Sequence, residues 1–396
     1  MLILAFGVGL GGFFVTVMTS LCGLGLFLTA RQLFRSDVSL MLIALIVIGT
    51  GLGLPLAWQA VAGLRGKPSR RFAPNRVGGA LLIFIYVAAV SSGVAVLRFK
   101  LAPSLTLPVF HVLALALPPL LLLMGAVALS RHQPFTWRQV VCGLGGGSFG
   151  AAGLAFVAEL ILLILGIAAV VIVVGASPEW TERLRQIRPG PGGSLDPELL
   201  RSWARNPAFI LSTLVILSVI VPLIEEPFKS LIPVLAGTWQ KLTPASGFLW
   251  GVASGAGFAV LEGLLNGGLS LDKWGSVALL RIGSSAMHCF AAGLTGWGWG
   301  QTLGRRKWPR LVLAYVLAIG LHGVWNSLSI GMGIGALALE GPGRIALVAI
   351  SVGLLVALTI GMIGSLLWLA KRVAADLRTP GPTMVESDRL SAGGVA

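Results

Sequence analysis

Long apolar stretches alternate with short polar ones along the whole chain. Apolar runs with few or no charges cover residues 3–30, 40–64, 78–97, 105–130, 139–176, 207–238, 245–267, 276–303, 309–332 and 345–370. These runs reach the length of about 20 residues that an α-helix needs to cross a bilayer. Lipid also demands that each backbone polar group be satisfied within the spanning structure, which a helix does by itself. The pattern therefore predicts an all-α, polytopic transmembrane helix bundle of about ten helices. The run 139–176 is too long for one upright helix and too short for a comfortable pair. Tilt, an interfacial extension or a break in the glycine-rich stretch from Gly143 to Gly150 would each account for it.

Composition agrees with this reading. Hydrophobic residues make up 56% of the chain and charged ones 11%, with a mean hydropathy of +0.92. A soluble protein carries about 25% charged residues, and a soluble core of this apolarity would leave large apolar patches in water. The net charge of +15 would point to nucleic acid in a soluble protein. Here the basic residues sit in short loops between spans, as do Arg65, Lys67, Arg70, Arg71 and Arg76. No basic stripe is interleaved with aromatics, so the charge carries topology and no nucleic-acid partner is expected. With both termini on one side, the loops and tail on that side hold 16 Lys or Arg against 11 on the other. This bias predicts a multi-pass protein of the cell membrane with both termini cytoplasmic. Residues 1–30 carry no charged side chain, unlike a signal peptide with its basic leading segment, so the first span is expected to be retained. Cys22, Cys142 and Cys289 lie in apolar stretches without a CxxC pair and read as small core hydrophobes.

Residues 177–206 form a hydrophilic loop containing Pro189, Gly190, Pro191, Gly192 and Gly193. The loop separates five N-terminal spans (1–176), of unassigned role, from a C-terminal half rich in polar intramembrane groups. That half divides into a catalytic-like bundle over 207–332, a final span within 333–370, and a tail over 371–396 whose small and polar residues predict disorder. No internal repeat is evident.

The polar groups follow an order. The sixth span reads Val221-Pro-Leu-Ile-Glu-Glu-Pro-Phe-Lys-Ser230. A charge at the centre of a membrane helix costs about 2.5–3.5 kcal/mol, so Glu225, Glu226 and Lys229 must face protein or water. Glu225 and Lys229 share a helix face and can pair, while Glu226, about 100° away, can aim at another helix. Pro222 and Pro227 bracket the two acids, and each disturbs the helix ladder. The seventh span carries Phe258, Glu262 and Asn266 on one face. Its Gly247, Gly251 and Gly255 form a stripe that lets another helix approach closely. The eighth has Arg281, Ser284 and His288 on one face; the ninth has His322 and Asn326 one turn apart. At 1.5 Å per residue, Glu225, Glu262, His288 and His322 can lie within about 10 Å of a common plane. His111 and His132 fall near a span end and in a loop, and Glu159 stands alone in the fifth span and reads as a structural feature.

Glu225-Glu226-x-x-Lys229, Phe258-x-x-x-Glu262, His288 and His322-x-x-x-Asn326, in this order, resemble the motifs of the PrsW family of intramembrane proteases. That family is similar to the superfamily of CAAX prenyl endopeptidases, whose members usually carry Arg at the position of Lys229 and His at that of Glu262. The resemblance covers roughly residues 207–332 and departs at Gly263, where members often carry Asn; Asn266 follows one turn later.

The resemblance implies hydrolysis of a peptide bond in a membrane-associated protein, such as a single-span or anti-sigma-like substrate, with a role in regulated signalling. Hydrolysis needs an activated water, a stabilised oxyanion and a proton for the leaving amine. Glu225 or Glu226 is expected to be the base and Lys229 the counter-ion. His288 or His322 would assist the oxyanion or the amine, with Asn326 as an oxyanion donor. Two histidines and a glutamate also form a known catalytic zinc ligand set, so Glu262, His288 and His322 are candidates to hold a divalent metal such as zinc. The competing class is a proton-coupled transporter or channel that uses the same buried groups as a relay. Such a protein would show an inverted repeat and polar residues in both halves. A third reading is a non-catalytic membrane scaffold.

Overall fold

The computed structural model describes residues 2–29, 36–175, 197–266 and 271–375. The expected coil of the loop over 177–196 and the disorder expected beyond residue 375 lie outside these residues. The helices are α1 (Leu2–Thr29), α2 (Ser36–Ile48), α3 (Leu54–Leu64), α4 (Arg76–Phe99), α5 (Pro103–Leu129), α6 (Trp137–Gly145) and α7 (Gly153–Gly175) in the first half. The second half has α8 (Pro197–Ala204), α9 (Pro207–Val215), α10 (Val221–Gly237), α11 (Pro244–Asn266), α12 (Trp274–Arg305), α13 (Trp308–Ala338) and α14 (Gly341–Ala375). Together they make ten apolar spans among the described residues, in the places the hydropathy pattern gives. Three details differ from the sequence reading. Part of the central loop is helical, as α8, because its Pro197-Glu198 start suits a helix N-terminus. The ninth span runs past residue 332 to Ala338, and the last continues past 370 through Lys371 and Arg372 to Ala375, since basic residues favour a helix C-terminus.

Among the described residues, three spans contain a π-helical turn, at Gly49–Gly53, Gly146–Ala152 and Ile216–Ile220. Two of them run into a proline at the second position of the next helix, Pro55 and Pro222. A proline has no N–H for the carbonyls one turn back and its ring crowds them, so the ladder widens there. The third lies in the glycine-rich stretch and resolves the over-long run 139–176 as one span, Trp137–Ala169, with a π-helical insertion.

α11 is the axis of the bundle. Of its most apolar 18 residues 83% are buried, against 11% of the most apolar 18 in the span Pro207–Gly237. Its small residues explain how so many neighbours fit. A Cβ added at Gly247, Gly251 or Gly255 would lie 2.3, 2.0 or 2.2 Å from the carbonyl oxygen of Gly296, Ala292 or His288 on α12. On another side, a Cβ at Gly257 would lie 2.0 Å from the Leu144 carbonyl oxygen of α6, and Ser148 Oγ donates to the Gly257 carbonyl at 2.6 Å. Backbone thus packs on backbone, as close helix crossings in lipid require. His111 has a structural place: its Nε2 lies 3.1 Å from the Leu264 carbonyl and its Nδ1 accepts from Trp274 Nε1 at 3.0 Å, joining α5, α11 and α12.

The Gly255 contact fixes the depth of His288. Gly255→Ala is expected to lower stability by about 1–3 kcal/mol through overpacking. Gly353→Ala, at a position with open space around it, is expected to be neutral or stabilising by up to about 1 kcal/mol through helix propensity. Thermal unfolding in detergent reads the difference.

Candidate active site

Glu225, Glu226 and Lys229 sit on α10 just after the π turn and are buried. Lys229 Nζ donates to Glu225 Oε2 at 2.9 Å and to Glu226 Oε1 at 2.7 Å. The i,i+4 pair read from sequence is present, and Glu226 shares the same ammonium while reaching α13, where His322 Nδ1 lies 2.8 Å from its Oε1. His322 Nε2 is 3.8 Å from Glu225 Oε2. His288 of α12 stands edge-on to His322, with ring centroids 5.2 Å apart. Phe258 of α11 packs between Lys229 and His288: the ammonium lies 4.2 Å from its ring centroid and the His288 ring 5.2 Å away.

Glu262 stands behind His288. Its Oε2 is 2.6 Å from His288 Nε2, a close approach without the alignment of a hydrogen bond. Its Oε1 accepts from Arg281 Nη1 at 3.0 Å and from Asn266 Nδ2 at 3.2 Å. Asn326 is not in the cluster; its Nδ2 donates to the Leu217 carbonyl at 2.7 Å. That carbonyl lies in the π turn, five residues before the N–H that Pro222 lacks, so the amide fills a gap the proline makes. Ser254 does the same on α10, donating at 2.7 Å to the Lys229 carbonyl, which Pro233 leaves without its helical donor. A Cβ at Gly323 would lie 2.4 Å from the Ser218 carbonyl oxygen, so α13 lies directly against the widened turn. The prolines thus act as anchor points between helices as well as breaks.

One nitrogen or oxygen from each of Glu225, Glu226, His288 and His322 falls within 4.8 Å of the others, and all four residues are buried. Glu226 Oε2 and His288 Nδ1 are buried without a hydrogen-bond partner. A carboxylate–imidazole set with buried, unpartnered donor atoms fits a divalent cation, because such atoms are costly unless something binds them. The formal charges agree: Glu225, Glu226 and Glu262 outnumber Lys229 and Arg281 by one.

Residues 136–362, more than half of the chain, match the PrsW family, described as intramembrane metalloproteases. The chain belongs to the PrsW family. No curated protein and no solved structure matches it. As a PrsW-family protein it is a multi-pass membrane protein and an intramembrane protease. The matched region begins in the fifth span, well before the motif-bearing helices, and takes in α6 and α7. Arg281 and Phe258 were visible in the sequence, one as an intramembrane charge on the face of His288 and one as part of the second motif. Ser254 gave no signal, since its role depends on a carbonyl freed in another helix.

Removing the shared ammonium should be costly. Lys229→Met leaves two buried carboxylates uncompensated and is expected to destabilise the bundle by about 3–5 kcal/mol, measured by denaturation in detergent.

Proposed function

We propose that the chain hydrolyses a peptide bond of a membrane-associated protein at the Glu225, Glu226, His288 and His322 cluster. Its setting is the cell membrane, with both termini cytoplasmic. The observation that supports this most is the convergence of those four donors at buried positions inside apolar spans. The catalytic-like bundle of 207–332 remains the unit to which this function is assigned, with α6 and α7 added on the strength of the family match.

In this reading each histidine has one ring nitrogen held by a carboxylate and one left for other work. Glu226 holds His322 through Nδ1, which leaves Nε2; Glu262 faces His288 Nε2, which leaves Nδ1. Carboxylates behind imidazoles in this way fix ring orientation and raise basicity. His288, His322 and Glu225 would then hold a divalent metal such as zinc, and Glu262 becomes an orienting group rather than the ligand that the sequence reading gave it. A bound divalent ion supplies Lewis-acid activation of a water and stabilises the oxyanion. Glu225, with 9% of its side chain exposed against none for Glu226, is the carboxylate beside the reacting water. Lys229 compensates both carboxylates where solvent cannot, and Asn326 holds α9 and the π turn in place rather than donating to the oxyanion. The substrate fitting such a site is a membrane segment unwound enough to bring one peptide bond to it.

The test is cleavage of candidate single-span proteins in reconstituted membranes. Chelation is expected to abolish cleavage and zinc to restore it. His322→Ala is expected to remove activity, and Glu226→Gln to lower it about 10–100-fold through loss of imidazole orientation. Cleavage that survives both substitutions would contradict the proposal.

A further inference from the structure

A cleft of about 910 Å³ lies at the end of the bundle where α9, α12 and α14 begin and α13 ends. That volume is in the range of sites that hold small molecules. None of Glu225, Glu226, His288 and His322 lines it. One turn nearer to them, Asn326 holds the Leu217 carbonyl, so α13 and the π turn close on each other there. Along α9 and α13 the walls are apolar, with Phe209, Ile330, Ile334 and Leu337, and Thr213 as the polar exception. Phe209 and Leu337 are also exposed. Gly333 is on the same wall and has open space where a Cβ would stand. At the helix ends the walls are basic. Arg201 there pairs with Glu198, and Glu340 with Arg205 at 3.2 Å. Lys273 and Arg344 line the same space and are exposed, and among the described residues no carboxylate pairs with either. α8 lies beside the cleft, with Leu200, Trp203 and Ala204 on it and Ser202 and Arg205 exposed. A short amphipathic helix of this kind lies in the plane of a membrane interface. Trp203, its ring 5.8 Å from that of Phe209, is an aromatic of the type that collects at headgroup level.

We infer that this cleft is a binding site for one anionic glycerophospholipid, with its phosphate at Lys273 and Arg344 and an acyl chain along Phe209, Ile330, Ile334 and Leu337. The charges name the headgroup: two cations without counter-ions at the level where the spans end attract anionic lipid. The walls name the rest of the ligand. A peptide laid along α9 and α13 would leave its backbone N–H and C=O groups facing apolar side chains without partners, whereas an acyl chain has no polar group to satisfy. The bound lipid fills the space between α9 and α13 on the far side of the Asn326–Leu217 contact from the cluster. Its chain reaches Ile330, eight residues and about 12 Å along α13 from His322. The site is independent of the proteolytic reading, since it shares no residue with the cluster.

The experiment titrates the full chain in nonionic detergent with dioleoyl phosphatidylglycerol or dioleoyl phosphatidylcholine and counts bound lipid by native mass spectrometry. Wild type is expected to hold one phosphatidylglycerol about 30-fold more tightly than phosphatidylcholine, about fivefold from each cation. The double variant Lys273→Gln, Arg344→Gln is expected to lose that preference and to keep its thermal midpoint in phosphatidylcholine, because neither side chain has an ion-pair partner to lose. Gly333→Leu, which extends a side chain into the open space of the wall, is expected to weaken both lipids about tenfold or more with the cations intact. Wild type that binds the two lipids alike overturns the inference. So does a double variant that keeps the wild-type preference, or a Gly333→Leu protein that binds both lipids as wild type does. If Gly333→Leu unfolds, the double variant decides alone. Two competitors separate the other occupants. Displacement of phosphatidylglycerol by glycerol 3-phosphate at equal concentration would make this a site for a free anion, and displacement by a single-span peptide with an acidic flank would make it a peptide site. Either result overturns the lipid assignment.

Discussion

The ammonium of Lys229, shared between Glu225 and Glu226 with no solvent exposure, is the contact on which the rest depends. Three charges in a membrane span would each cost several kcal/mol if left alone. Their mutual pairing lets α10 occupy the bundle, and it also spends the ammonium's hydrogen bonds on two carboxylates at once. Its neighbours hold that arrangement in place. Phe258 lies over the ammonium, Ser254 takes the carbonyl of the same residue, and His322 takes the oxygen of Glu226 that Lys229 also holds.

Geometry of this quality needs backbones that cannot slide. The glycine stripes of α11 and α12 bring carbonyls to within contact of Cα atoms, so His288 is held by the backbone of α11 rather than by side chains that can repack. The prolines of α10 add a second constraint. Each leaves a carbonyl without a helical donor, and groups on two different helices, Asn326 and Ser254, answer. A broken helix in lipid is tolerated only where neighbours restore the lost hydrogen bonds, and here the restoration also fixes the register of α10 against α11 and α13.

Much of this was legible in the sequence. The spans were set by apolar length, and the pairing of Glu225 with Lys229 by the four-residue spacing. The face shared by Arg281 and His288 followed from the helical period, and the close packing of α11 from its glycine repeat. What was not legible depends on contacts between helices. Spacing along α11 could not say that Glu262 stands behind His288, outside the group of four that converges, nor spacing along α13 that Asn326 would be turned toward Leu217. The fifth span looked unremarkable because its single acid had no partner within its own helix. Only the packing of Ala151 and Ala155 against Phe258 sets a face of the fifth span on the helices that carry the cluster. For the over-long run 139–176 tilt, an interfacial extension and a break were all open; the glycine-rich stretch instead holds a π-helical turn at Gly146–Ala152, which spacing alone does not reveal.

In the proposed site, residues from three helices, Glu225, His288 and His322, make one metal centre with Glu226 and Glu262 behind the imidazoles. X-ray absorption at the zinc edge of the zinc-loaded protein tests it most directly. Wild type is expected to show nitrogen and oxygen neighbours with two imidazoles, falling to one in His322→Ala. A sulfur-containing shell, or a wild-type shell without imidazole, would contradict it.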